Sequence, residues 1–81
     1  LTPLEKKILM ARAREATRSG EAKIIRRNAG WTQDDVGAFS RISRVSVVNY
    51  ESGKRQPSGE AGYRYAITLM KLGLPVRELE P

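Results

Sequence analysis

Gly, Ser and Pro divide this chain into short stretches, and the stretches between them carry helical period. None alternates apolar and polar residues for long enough to make a strand. The chain therefore reads as all-α. Its 81 residues support one small domain with a single modest core, which excludes a two-lobed enzyme with a cleft between domains. There is no Cys, so disulfides cannot hold the fold and helix packing must supply its stability. Without Cys and His the chain also lacks thiolate and imidazole catalysis and the usual zinc ligands, so no enzyme activity, metal or cofactor is expected. No apolar run is long enough to cross a bilayer and no signal-peptide stretch opens the chain, so a cytoplasmic location is expected, with no membrane partner. Leu1 stands in place of an initiating Met, which fits a trimmed chain or a part of a longer one.

Thr2-Pro3-Leu4-Glu5 opens the first helix: Thr2 can cap it, Pro3 suits the first helical position and Glu5 can complete a capping box. Leu4, Ile8 and Ala11 line up loosely on one side of that helix, with Lys6, Lys7, Arg12, Arg14 and Arg18 around the rest. Such weak amphipathicity marks residues 1–19 as a basic appendage, either packed or mobile, on a domain spanning residues 20–81. A second helix runs from Glu21 to Asn28, with Ala22 and Ile25 inward and Gly30 as its stop. Thr32 caps a third, with Gln33, Asp34 and Asp35 in its first turn and Val36 and Phe39 on its inner face. Both carboxylates complement the positive end of the helix dipole, and neighbours on a helix point too far apart to act as a catalytic pair. After Ser40-Arg41-Ile42, Ser43 caps a fourth helix that ends at Glu51 or Ser52. Residues 53–59 form a loop, a fifth helix runs from Gly59 or Glu60 to Leu72, and the tail from Val76 to Pro81 has room for one turn.

The stretch from Thr32 to Glu51 has the spacing of two short helices joined by a tight turn, as a helix-turn-helix requires. Helices that cross steeply need a small residue where they meet, and Gly37 sits there despite a cost of up to about 1 kcal/mol in a helix interior. Val36, Phe39, Ile42, Val47 and Tyr50 are spaced to form a core beneath the pair. With successive residues about 100° apart, Arg44, Val45, Val48, Asn49 and Ser52 share the outward arc of the second helix, roughly opposite Ser46, Val47 and Tyr50. Arg can bond guanine, Asn can bond adenine and a Val methyl can rest on the thymine methyl, so this arc suits a major groove. A net charge of +6 adds general attraction for a polyanion. Trp31, before the Thr32 cap, reads as a staple to the core, and Gly53-Lys54 lacks the earlier Gly of a phosphate loop.

These residues resemble the lambda-type repressor and Cro family, also called XRE-like. The resemblance rests on Arg26 to Gly37, on Ile42-Ser43-Arg44 and on Tyr50 to Pro57, and it covers about Gly20 to Leu79. It implies a compact lambda-repressor-like helix-turn-helix domain that binds double-stranded DNA; the expected fold is a compact five-helix domain of this kind with an extra N-terminal helix, which lies outside the family's minimal domain. It also implies phosphate contacts from Gln33 and from the loop after Tyr50-Glu51-Ser52-Gly53-Lys54, and a structural pair between Arg26 and Glu51. Where the family most often has Gly in the inter-helix turn, this chain has Arg41, so the turn either avoids a left-handed conformation or tolerates it. Gly20-Glu21-Ala22 and Arg64-Tyr65-Ala66 are similar to phage or actinobacterial regulators.

The expected base contacts are Arg44, Val45 and Asn49, and the expected phosphate contacts are Gln33, Arg41, Ser43, Lys54 and Arg55. The fifth helix carries two apolar stripes, Ala61, Tyr65, Leu69 and Leu72, then Tyr63, Ile67, Met70 and Leu74, leaving Arg64, Thr68 and Lys71 polar. Either the first helix or the tail covers the second stripe, or Tyr63, Ile67 and Met70 form the surface of a homodimer. A sequence-specific transcriptional regulator, repressor or Cro-like, is the reading these residues favour. Its competitor is a protein-interaction module on the same fold, antitoxin-like or bridging, which the outward Val45 and Val48 keep open.

Overall fold

The computed structural model describes residues 1–80; Pro81, the end of the expected tail, lies outside the described residues. Five helices follow one another: α1 (Pro3–Ser19), α2 (Glu21–Asn28), α3 (Gln33–Ser40), α4 (Arg44–Glu51) and α5 (Gly59–Lys71). A single 3-10 turn, Arg77–Leu79, follows, and no strand occurs among the described residues. The all-α class is as expected.

Local chemistry sets the helix starts. Thr2 Oγ1 accepts from the Glu5 N–H at 3.1 Å while the Glu5 carboxylate accepts from the Thr2 N–H at 2.9 Å, a complete capping box in front of Pro3. Thr32 and Asp35 repeat the box at α3, and Ser43 Oγ accepts from the Ser46 N–H at α4. The α3–α4 turn adopts the left-handed conformation at Arg41, with φ 58°. A non-Gly residue gives up on the order of 1 kcal/mol there. Arg64 of α5 offsets it: its Nε donates to the Ser40 carbonyl at 3.0 Å and its Nη2 to the Arg41 carbonyl at 3.3 Å. The guanidinium thus satisfies carbonyls at the negative end of α3.

The core draws on every helix: Leu9, Ala13 and Ala16 of α1, Ala22 of α2, Val36 of α3, Val47 and Tyr50 of α4, and Tyr65, Ala66 and Leu69 of α5, closed by Leu74 and Val76. Three expectations are corrected. The inward face of α1 is Leu9, Ala13, Ala16 and Thr17, whereas Leu4 is 68% exposed and Ala11 is also exposed. Alanines carry this face because α1 lies close against α2 and α5, and small side chains barely register as a hydrophobic stripe. Phe39 is 52% exposed and not inward; its ring meets Trp31 edge-on, with centroids 5.5 Å apart. Ser40 takes the inner position instead, hydrogen-bonded to Thr68 of α5, and Thr68 is accordingly buried where it was expected on the polar side.

Of the expected second stripe, Tyr63, Ile67 and Met70 are half-buried on α5, whereas Leu74 lies past the end of that helix, where it is buried. Lys6 of α1 places its Nζ 4.8 Å from the Tyr63 ring centre, and Val76 and Leu79 of the tail lie beside Met70. Arg12 of α1 joins three segments: it bonds the Glu21 carboxylate twice at 2.8 Å and the Pro75 carbonyl at 2.8 Å. That pairing holds the Glu21 carboxyl below the usual carboxylate range.

The loop after α4 is anchored just as tightly. Arg14 Nε donates to the Pro57 carbonyl at 2.9 Å, and Gly62 lies so close that a Cβ there would fall 2.6 Å from the Pro57 carbonyl carbon. Ala favours a helix interior over Gly by up to about 1 kcal/mol, yet here the obstruction is backbone. Gly62→Ala is therefore expected to lower unfolding stability by about 1–3 kcal/mol, measured by urea denaturation.

Candidate nucleic-acid interface

A buried ion pair sets the position of α4. Arg26 Nε reaches Glu51 Oε2 at 2.6 Å and Nη2 reaches Oε1 at 3.0 Å, with the two side chains only 8% and 4% exposed. A third Arg26 nitrogen is also used, since Nη1 donates to the Trp31 carbonyl at 2.8 Å. Gln33 Nε2 adds a bond to Glu51 Oε1 at 3.2 Å. One carboxylate at the end of α4 therefore ties together α2, the segment before α3 and the first turn of α3. Its hydrogen bonds raise the Arg26 pKa against the opposing effect of burial. Tyr65 packs alongside, its ring 4.8 Å from that of Tyr50, and burial raises the pKa of its phenol.

Gly37 brings α3 and α4 together. A Cβ at this position would stand 3.1 Å from the Ile42 carbonyl oxygen and 3.5 Å from the Arg44 nitrogen, so a longer side chain would push the two helices apart. Val47 and Tyr50 then face the core, and the opposite side of α4 presents Arg44, Val45 and Ser52 as exposed and Val48 and Asn49 as half-buried. Val45 is 66% exposed, a large apolar side chain facing water.

The expected phosphate contacts lie around this face. Gln33 is half-buried at the start of α3, and Ser43 caps α4 with its hydroxyl 3.0 Å from that of Ser46. Arg41 is exposed at the α3–α4 turn. Lys54 and Arg55 are exposed on the loop, whose path is held by the Arg55 N–H bonding the Asn49 carbonyl at 3.2 Å and by the Arg55 guanidinium 5.9 Å from the Tyr50 ring centre. Arg44 Nε stands 3.5 Å from Asp34 Oδ1.

Arg27 was not among the expected contacts. It is exposed on α2 and lines one open cleft with Gln33, Asp34 and Arg44. The signal was present in Arg26-Arg27, because neighbours on a helix diverge by about 100° and only one of them can turn inward to Glu51. Among the described residues, Arg27, Arg41, Lys54 and Arg55 make no salt bridge, and no cluster of acidic residues is arranged to hold a metal. No helix among them is long and apolar enough to cross a membrane.

Removing one partner of a buried pair leaves the other charge without compensation. Glu51→Ala is expected to lose about 3–5 kcal/mol of unfolding stability. Denaturant unfolding of that variant beside Glu15→Ala, whose carboxylate is 64% exposed, measures the difference, with the second expected to change by under about 1 kcal/mol.

A comparison with curated proteins finds no match, and neither does one with solved structures. A helix-turn-helix family model does match, over residues 23–69, which is more than half of the chain and takes in α3, α4 and most of α2 and α5. With the Gly37 crossing, the Ser43 cap and the Arg26–Glu51 pair, this match means that the chain belongs to the helix-turn-helix family of XRE-like, DNA-binding regulators.

Proposed function

We propose that the chain binds double-stranded DNA sequence-specifically by laying α4 in the major groove, and that it regulates transcription as a repressor or Cro-like factor. The observation that carries this reading is the outward face of α4, where an Arg, an Asn and an exposed Val share one side of a helix fixed to its scaffold by a buried ion pair. Arg44, Val45 and Asn49 read base edges. Gln33, Arg41, Ser43, Lys54 and Arg55 hold phosphates and set register, joined by Arg27. Gln33 gives one amide hydrogen to Glu51 and keeps the other for a phosphate oxygen. Binding to a two-fold operator calls for a homodimer, and half-buried Tyr63, Ile67 and Met70 supply the apolar surface for it. Regulation follows from occupancy of a promoter, with no chemistry on the DNA.

A protein-interaction module is the competing reading, favoured by the exposure of Val45 and of Phe39. Salt separates the two, because phosphate contacts release counterions on binding and make affinity fall steeply as salt rises. Arg44→Ala is expected to relax base preference by about 1–3 kcal/mol at one position. Lys54→Ala is expected to weaken binding to all sequences alike and to reduce the salt slope by about one. Equal losses for both variants on every duplex would contradict these roles.

A further inference from the structure

Asp34 and Asp35 are neighbours with the same side chain, yet the structure employs them differently. Asp35 is committed to the cap of α3: its carboxylate accepts from the Thr32 N–H at 2.8 Å, and its own N–H donates to Thr32 Oγ1 at 3.0 Å. Asp34 has no part in the cap. Its Oδ1 instead faces Arg44 Nε across the α3–α4 interface at 3.5 Å, with the two side chains 77% and 62% exposed. Asp34 also complements the positive end of the α3 dipole, and a pair this exposed adds little more to folding stability; neither contribution requires the carboxylate to face Arg44.

We infer that Asp34 is a specificity-determining residue that positions Arg44 for guanine; this rests on the DNA-binding reading above. The contact is to Nε, the inner nitrogen of the guanidinium. Both terminal nitrogens stay free of protein partners, and a planar fork with a carboxylate behind it can present two parallel donors to the O6 and N7 acceptors of guanine. Adenine and cytosine place an amino group where one of those donors points, so an Arg biased toward one orientation by the carboxylate beside it rejects them more strongly than an unbiased one. Asp34 also acts by repulsion. With Arg27, Gln33 and Arg44 it lines the cleft between the end of α2 and the starts of α3 and α4, and a negative charge there opposes phosphate approach in any register that leaves Arg44 unpaired. Asp34 therefore lowers affinity for DNA in general and widens the margin for the correct base.

The test uses the full chain, a duplex recovered by selection from randomised DNA, the variants of that duplex at the base step where Arg44→Ala loses preference, and an unrelated duplex. Binding of the wild type and of Asp34→Asn is compared at one salt concentration, and the same comparison is repeated in the Arg44→Ala background. Asp34→Asn is expected to narrow the preference at that step on the order of tenfold, within the discrimination that a bidentate Arg–guanine pair supplies. It is also expected to tighten binding to the unrelated duplex, and to leave the preference unchanged once Arg44 is absent. A uniform tightening on every duplex, or an equal narrowing without Arg44, would overturn the inference while leaving the DNA-binding reading intact. A wild type that binds no duplex in a salt-dependent manner would overturn both.

Discussion

The buried pair between Arg26 and Glu51 is the interaction on which the rest of the structure depends. Three separate segments meet at one carboxylate: α2 through Arg26, α3 through Gln33, and the end of α4, which carries Glu51. Replacing such a pair with apolar residues of equal volume is often neutral or stabilising, so its contribution is direction more than net stability. Bidentate geometry allows α4 little freedom to rotate or slide against α2. A helix of only eight residues has little stability of its own, and this pair, the Ser43 cap and buried Val47 and Tyr50 hold it to the domain.

Eight of the fifteen basic residues fall into two sets by what they touch. Arg12, Arg14, Arg26 and Arg64 are structural, each donating to carboxylates or backbone carbonyls that bind one segment to another. Arg27, Arg41, Lys54 and Arg55, without salt bridges among the described residues, surround α4. The role of α1 follows from the same division: Arg14 and the Gly62 contact hold Pro57, and Pro57 ends the loop that carries Lys54 and Arg55.

Much of this was legible in the sequence because it is governed by local rules. Thr2, Thr32 and Ser43 announce helix starts by the chemistry of their hydroxyls, and the outward arc of α4 follows from the helical period alone. Gly37 was legible because a helix does not readily accept Gly without a packing reason. What was not legible depends on long-range partners. Ser40 and Thr68 are buried with their hydroxyls paired, Thr68 also donating to the Arg64 carbonyl, while Phe39 lies exposed. The inner face of α1 is made largely of Ala, whose burial reflects how closely another helix approaches. Gly62 gives no local sign that Pro57 lies against it. Nor do Asp34 and Asp35 reveal which of them caps and which faces Arg44.

Placement of α4 against DNA is tested most directly by following backbone amide chemical shifts of the labelled chain as a selected duplex is added. The largest changes are expected from Ser43 to Arg55 and at Arg27 and Gln33, with the buried face of α1 around Ala13 and Ala16 nearly unmoved. Changes centred on the Trp31–Phe39 surface or on Tyr63, Ile67 and Met70, with α4 unaffected, would contradict it.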